Sequence, residues 1–199
     1  MLRMMSAAPA PVPTPFDEWG RITRFLESAR VAFARERSLW STLEIARPTE
    51  VEISAAAASR RYRVRLEQHL AAVDDHQMLH ASVLVHSYAV AEAAAGERLS
   101  LDSRELGPIE DWGTELLARG GRGWDDVKDG SAGVVEVAVI RNAFAHGTDV
   151  IDGRSALRLR AAGMTHRPAG SIVTLEYDEL RTYRARLLSL LQVSRLGHN

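Results

Sequence analysis

The sequence predicts a mainly α-helical fold: a bundle of about five helices with a β-hairpin inserted before the last one. Three observations lead there. Apolar residues recur every three or four positions along most of the chain, the spacing of one helix face. Residues 156–160 and 171–177 instead alternate apolar and polar residues. Proline, glycine and capping residues fall mostly between these stretches. At 199 residues the chain suits one domain with a substantial core. We place that domain at residues 16–196, behind a Pro-rich, flexible arm over residues 1–15.

Taken in order, Phe16, Trp19, Ile22, Leu26, Ala29 and Phe33 trace a first helix that Trp40 and Leu43 extend. Pro15 fits its first turn, Asp17 and Glu18 suit the positive end of its dipole, and Pro48 ends it. Thr49 and Glu52 have capping-box spacing, which predicts a long second helical segment over residues 51–96 with a break at Asp74-Asp75. A short helix over residues 110–119 stops at the Gly120 to Gly123 turn. Gly130-Ser131 opens the next helix, and Val134, Val137, Ala138 and Ile140 make it central to the bundle. The hairpin follows, with Gly163, Pro168 and Gly170 in its loop. Asp178 caps the last helix, whose buried stripe is Leu180, Tyr183, Leu187 and Leu191.

The formal charge of −1 gives no global basic field, so any nucleic-acid contact must come from local arginines. Those are plentiful, since Lys128 is the only lysine among 25 basic residues. The lack of cysteine excludes disulfides, thiolate nucleophiles and thiolate metal sites, and suits a cytoplasmic location. The longest uncharged run, from Gln77 to Ala91, holds two histidines and is too short to span a bilayer, so no membrane association is expected.

The chemistry concentrates in Arg141-Asn142-Ala143-Phe144-Ala145-His146-Gly147. Arginine is permanently charged and grips phosphate through a planar fork. Histidine gives or takes a proton near neutral pH. The Arg-x4-His spacing alone is a weak signal in so arginine-rich a chain. The full string, with asparagine after the arginine and glycine after the histidine, is not. Gly147 is the expected left-handed residue that ends the helix, which puts His146 in the last turn. Asn142 and His146, four residues apart, share a face, so the amide can orient the ring. Arg141 lies about 140° around the helix from His146. Two copies related by a two-fold axis would bring both residue types around one cleft.

The segment from Val137 to Gly147 resembles the signature of the HEPN superfamily, an Arg-x4-6-His motif with a polar residue after the arginine. The helix from Ser82 to Arg98, with Glu92 among small residues, is similar to the long second helix of such domains. Glu92 would face the signature helix, either pairing with Arg141 structurally or tuning it. The resemblance implies a helical bundle that dimerises and cleaves RNA without a metal or other cofactor. His146 would move the proton of the ribose 2′-hydroxyl or of the leaving oxygen. Arg141 would hold the scissile phosphate and Asn142 would orient His146 or a phosphate oxygen. The product would carry a 2′,3′-cyclic phosphate. It further implies a toxin or phage-defence effector restrained by an antitoxin or regulatory protein. Members that have lost catalysis serve instead as modules recruiting a partner protein or nucleotide.

Other residues attract plainer readings. His80 and His86 are expected as core or interface histidines, and His69, His76 and His80 as a weak metal candidate at best. Arg60, Arg61, Arg63 and Arg65, and Arg181, Arg184 and Arg186, read as solvated helical faces. Arg158, Arg160 and Arg167, on the hairpin, would overhang the cleft. Trp112 and Trp124 read as anchors of the short helix.

Overall fold

A Thr14 capping box opens the first helix, α1 (Pro15–Ser41): Thr14 Oγ1 accepts from the Asp17 amide at 3.2 Å, and the Thr14 amide donates back to Asp17 at 2.9 Å. In this computed structural model the chain is described over residues 13–43, 47, 49–57, 60–102 and 104–194. The arm expected before residue 13 and the helix stop expected at Pro48 lie outside them. After α1 come β1 (Glu52–Ala57) and β2 (Arg60–Arg65), then α2 (Leu66–Asp74), α3 (His76–Leu99), α4 (Ile109–Arg119), α5 (Gly130–Ala145), α6 (Gly153–Ala161) and α7 (Tyr177–Val193). A single 3-10 turn at Trp124–Asp126 precedes α5.

The class is as expected, a helical bundle with one antiparallel hairpin, but the hairpin sits elsewhere. The long second helical segment does not begin at Val51. Residues 52–57 and 60–65 pair as β1 and β2, with Glu52 opposite Arg65, Ile53 opposite Val64 and Ser54 opposite Arg63. Alanine and arginine are good helix formers, and their density there hid the alternation Arg61, Arg63, Arg65 against Tyr62, Val64. The basic run is therefore a strand, tied in part by Arg63 to Glu52 at 3.7 Å. Leu66, 1 % exposed, seeds α2 where the strand ends, and the Asp74-Asp75 break is present.

The hairpin expected before the last helix is absent, replaced by α6. Asp152 caps it by accepting from the Ser155 amide at 2.6 Å. Ala156 and Leu159 then bury on one helical face while Leu157 points to solvent. Residues 171–176 are extended, but only one bridge, Val150 to Ile172, pairs them. Their other support comes from α3 side chains, His80 on the Leu175 carbonyl and Gln77. Gln77 donates to the Val173 carbonyl at 3.0 Å and accepts from the Leu175 amide at 2.8 Å, standing in for a neighbouring strand. The last helix opens with Glu176 as its cap, two residues earlier than Asp178, and buries Leu180, Tyr183, Leu187 and Leu191 as expected.

The core runs between α3, α5 and α7, with α1 packed across α3. The inner face of α5 is almost wholly apolar, and Val134, Val137 and Ile140 are all fully buried. Burial of each such side chain contributes about 2 kcal/mol, which fixes the helix axially and so fixes what its end presents. One carboxylate interrupts that face. Glu136, with 6 % of its side chain exposed, meets Arg186 at 2.7 Å, Arg167 at 3.0 Å and His166 at 3.0 Å. Arg167 also reaches Glu179 and the Tyr183 hydroxyl, each at 2.9 Å. The last helix is thus no solvated arginine face. Arg186 belongs to this cluster, and Arg184 is buried, donating to Ser87 at 3.0 Å and to Thr23 at 2.8 Å. Only Arg181 of the three is exposed. No described helix is long and apolar enough to cross a membrane.

Candidate functional site

The end of α5 is a Schellman motif. Gly147, at φ +64°, donates to the Phe144 carbonyl at 3.0 Å, and Thr148 to the Ala143 carbonyl at 3.2 Å. His146 is therefore the C-cap residue, at φ −92°, with its side chain exposed. Cations are favoured at this end of the helix by the dipole. Arg141 lies one turn back and half-buried, aimed at α3.

Three groups hold that guanidinium. Arg141 Nη2 donates to Glu92 Oε2 at 3.2 Å and Nη1 to Asn142 Oδ1 at 2.9 Å. Its central carbon stands 4.6 Å from the Tyr88 ring centroid, a cation–π contact. The Nε is buried with no partner among the described residues. The acidic partner is thus Glu92, as the helix pattern suggested, whereas the nearer-in-sequence Glu136 faces α7. Asn142 departs from its expected role: its carbonyl oxygen goes to Arg141, not to His146. Arg141 and His146 leave α5 in different directions, as the 3.6-residue turn requires, and one chain does not join them.

Set against family models, curated proteins and solved structures, the chain matches none.

A second ion pair ties α6 to α4. Arg158 on α6 grips Glu110 on α4 through both Nε, at 2.8 Å, and Nη2. The Tyr88 hydroxyl feels all four charges. Burial pushes its ionisation up, Glu92 and Glu110 add to that, and Arg141 and Arg158 oppose it. Glu92 is likewise raised above the ordinary carboxylate value, because burial outweighs the attraction of Arg141. Glu110 is held below its ordinary value: burial works upward, but the Arg158 bonds win.

Tyr88 and Glu110 were missed from sequence. Tyr88 had a signal, since it stands four residues before Glu92 and so on the same helix face. Glu110 had none, because its partner is 48 residues away. The arginines expected to overhang a cleft separate: Arg158 pairs with Glu110, Arg167 joins the Glu136 cluster, and Arg160 is exposed.

The histidines divide similarly. His80 is buried, its Nδ1 donating to the Leu175 carbonyl at 2.7 Å, while His86 is exposed with Glu18 at 3.7 Å. His69 meets Glu36 at 2.9 Å. Among the described residues no three His, Asp or Glu side chains converge as metal ligands would. Trp112 is a core anchor at 2 % exposure, and Trp124 closes over Gly113, where an added Cβ would meet its ring at 2.5 Å.

Proposed function

We propose that this chain is a HEPN-type endoribonuclease that works without a metal and acts as a homodimer. One observation supports this reading above the rest: the signature string ends a helix whose buried face is apolar, leaving His146 exposed at the cap and Arg141 half-buried at its side. In the proposed reaction the substrate's own 2′-oxygen attacks the adjacent phosphorus. The 2′-O–P bond forms, the P–O5′ bond breaks, and the 2′,3′-cyclic phosphate remains. His146 takes the 2′-hydroxyl proton or delivers one to the departing 5′-oxygen. Arg141 neutralises the charge that builds on the phosphorane oxygens. Asn142 acts on Arg141 in this reading, holding the guanidinium fork in one plane. A toxin or defence effector, restrained by an antitoxin or regulatory protein, is the biological setting that the family resemblance implies.

A second reading, a catalytically silent binding module, is favoured by one fact. Arg141 is occupied by Glu92, Asn142 and Tyr88 and does not meet His146 within the chain. Incubating wild type and His146→Ala with single-stranded and structured RNA in EDTA separates the two. The ribonuclease reading expects cleavage with cyclic-phosphate ends by wild type only, and an unchanged melting temperature for the exposed variant site. Failure of folded, dimeric wild type to cut any RNA supports the binding module.

A further inference from the structure

We propose that the β1–β2 hairpin is a phosphate-binding ribbon that anchors a single RNA strand, built from other elements than those carrying Arg141 and His146. It rests on the ribonuclease reading for the choice of RNA as the polyanion. The strand register puts Arg61, Arg63 and Arg65 at alternate positions of β2, hence on one face, opposite Ala56, Ser54 and Glu52 of β1. All three arginines are exposed, whereas Val64 and its cross-strand partner Ile53, on the other face, are partly covered. Alternate residues of an antiparallel strand stand about 7 Å apart. One nucleotide of an extended strand covers a similar stretch, so three guanidinium groups meet three successive phosphates.

The charge on this face is not balanced from within. Its one carboxylate, Glu52, stands opposite Arg65 and lies 3.7 Å from Arg63. Neither Arg61 nor Arg65 meets a carboxylate among the described residues. Arg141, Arg158, Arg167 and Arg186 are different, since each is held by a carboxylate within 3.2 Å. In a chain of net charge −1 the hairpin is thus a local concentration of unspent positive charge. Like charges at alternate positions repel, and a row of anions relieves that repulsion. Arginine suits the task, because its planar fork takes a phosphate through two parallel N–H bonds. The spacing favours an unpaired strand, since the major groove of A-form RNA is too deep and narrow for side chains to enter.

The test is fluorescence anisotropy with a short, labelled 2′-O-methyl oligouridine, whose blocked 2′-oxygen cannot attack the chain, titrated over a range of salt. Wild type is compared with the triple variant Arg61→Gln, Arg63→Gln, Arg65→Gln, and with the same three positions changed to lysine. A control carries Arg21→Gln, Arg104→Gln and Arg122→Gln, exposed arginines elsewhere on the molecule. Each phosphate contact on a single strand contributes about 0.7 to the slope of log affinity against log salt. The glutamine variant should therefore lose about 2 from that slope, and roughly tenfold or more in affinity near 0.1 M salt. Lysine keeps the charge without the fork, so that variant should retain the slope and lose affinity only a few-fold. Binding by the glutamine variant equal to that of wild type overturns the proposal. So does an equal loss in the control, a lysine variant that loses the slope as glutamine does, or a wild type that ignores the oligonucleotide. A wild type that binds through the hairpin yet cleaves no RNA sinks the ribonuclease reading and leaves the ribbon standing. One that cleaves RNA while the glutamine variant binds undiminished sinks the ribbon alone.

Discussion

Glu92 faces one guanidinium, whereas Glu136 faces two and an imidazole, and the difference sets the sign of their titrations. Burial lifts Glu92, and Arg141 offsets this only in part, so its folded value lies above the unfolded one. The stability tied to it is complete below about pH 4.3 and is lost as pH rises through the folded value. Urea melts between roughly pH 4 and 7 should therefore show wild type losing ground to Glu92→Gln as pH increases. Parallel curves would contradict this. Burial lifts Glu136 too, but the bonds from Arg186, His166 and Arg167 outweigh it and hold the carboxyl below its ordinary value. Its contribution is present above about pH 4.3 and lost as pH falls through the folded value. Glu136→Gln should cost about 2 kcal/mol at neutral pH, leaving Arg167 with only Glu179 and Arg186 with only Asp129, and much less in acid. Equal losses at both pH values in denaturant titrations would refute the assignment. At this scale the signature was legible as a string, since all its residues are local. Its partners were not. The Glu92 to Arg141 bond spans 49 positions, and only the helix pattern hinted at it.

The elements show where local pattern suffices and where it misleads. The C-terminus of α5 was readable because its stop is chemical. Gly147 sits at φ +64°, where a side chain is penalised. Gly147→Ala should lower stability by about 1 kcal/mol, read as a fall in melting temperature with an unchanged far-ultraviolet spectrum. An unaltered melt would mean that the turn relaxes. The hairpin and α6 were exchanged for reasons that propensity explains. Alanine and arginine around residues 52–65 favour helix in isolation, and a strand forms there only because β1 and β2 complete each other. In α6 the alternation of Leu157 and Leu159 imitated a strand, while the decisive signal, Asp152 as a cap for Ser155, lay just upstream. Composition thus misled at residues 52–65, and side-chain period misled at α6.

For the whole molecule, the proposed chemistry demands a second copy, because α5 sends Arg141 and His146 apart. After His146 in the chain come three exposed apolar side chains: Val150 is bridged to Ile172, itself 74 % exposed, and Leu157 on α6 is 66 % exposed. We expect a dimer at micromolar concentration by light scattering, with Ile172→Glu shifting it to monomer and abolishing cleavage together. A strictly monomeric wild type that still cleaves would dispose of the shared groove. A last consequence belongs to Gln77, the amide that replaces a missing strand along residues 171–176. Slow loss of ammonia would turn it into glutamate, keeping the acceptor for Leu175 but setting a negative oxygen against the Val173 carbonyl. Ageing of stored protein should then loosen the lead-in to α7 and uncover Val173 and Leu175, visible as growing uptake of a hydrophobic dye.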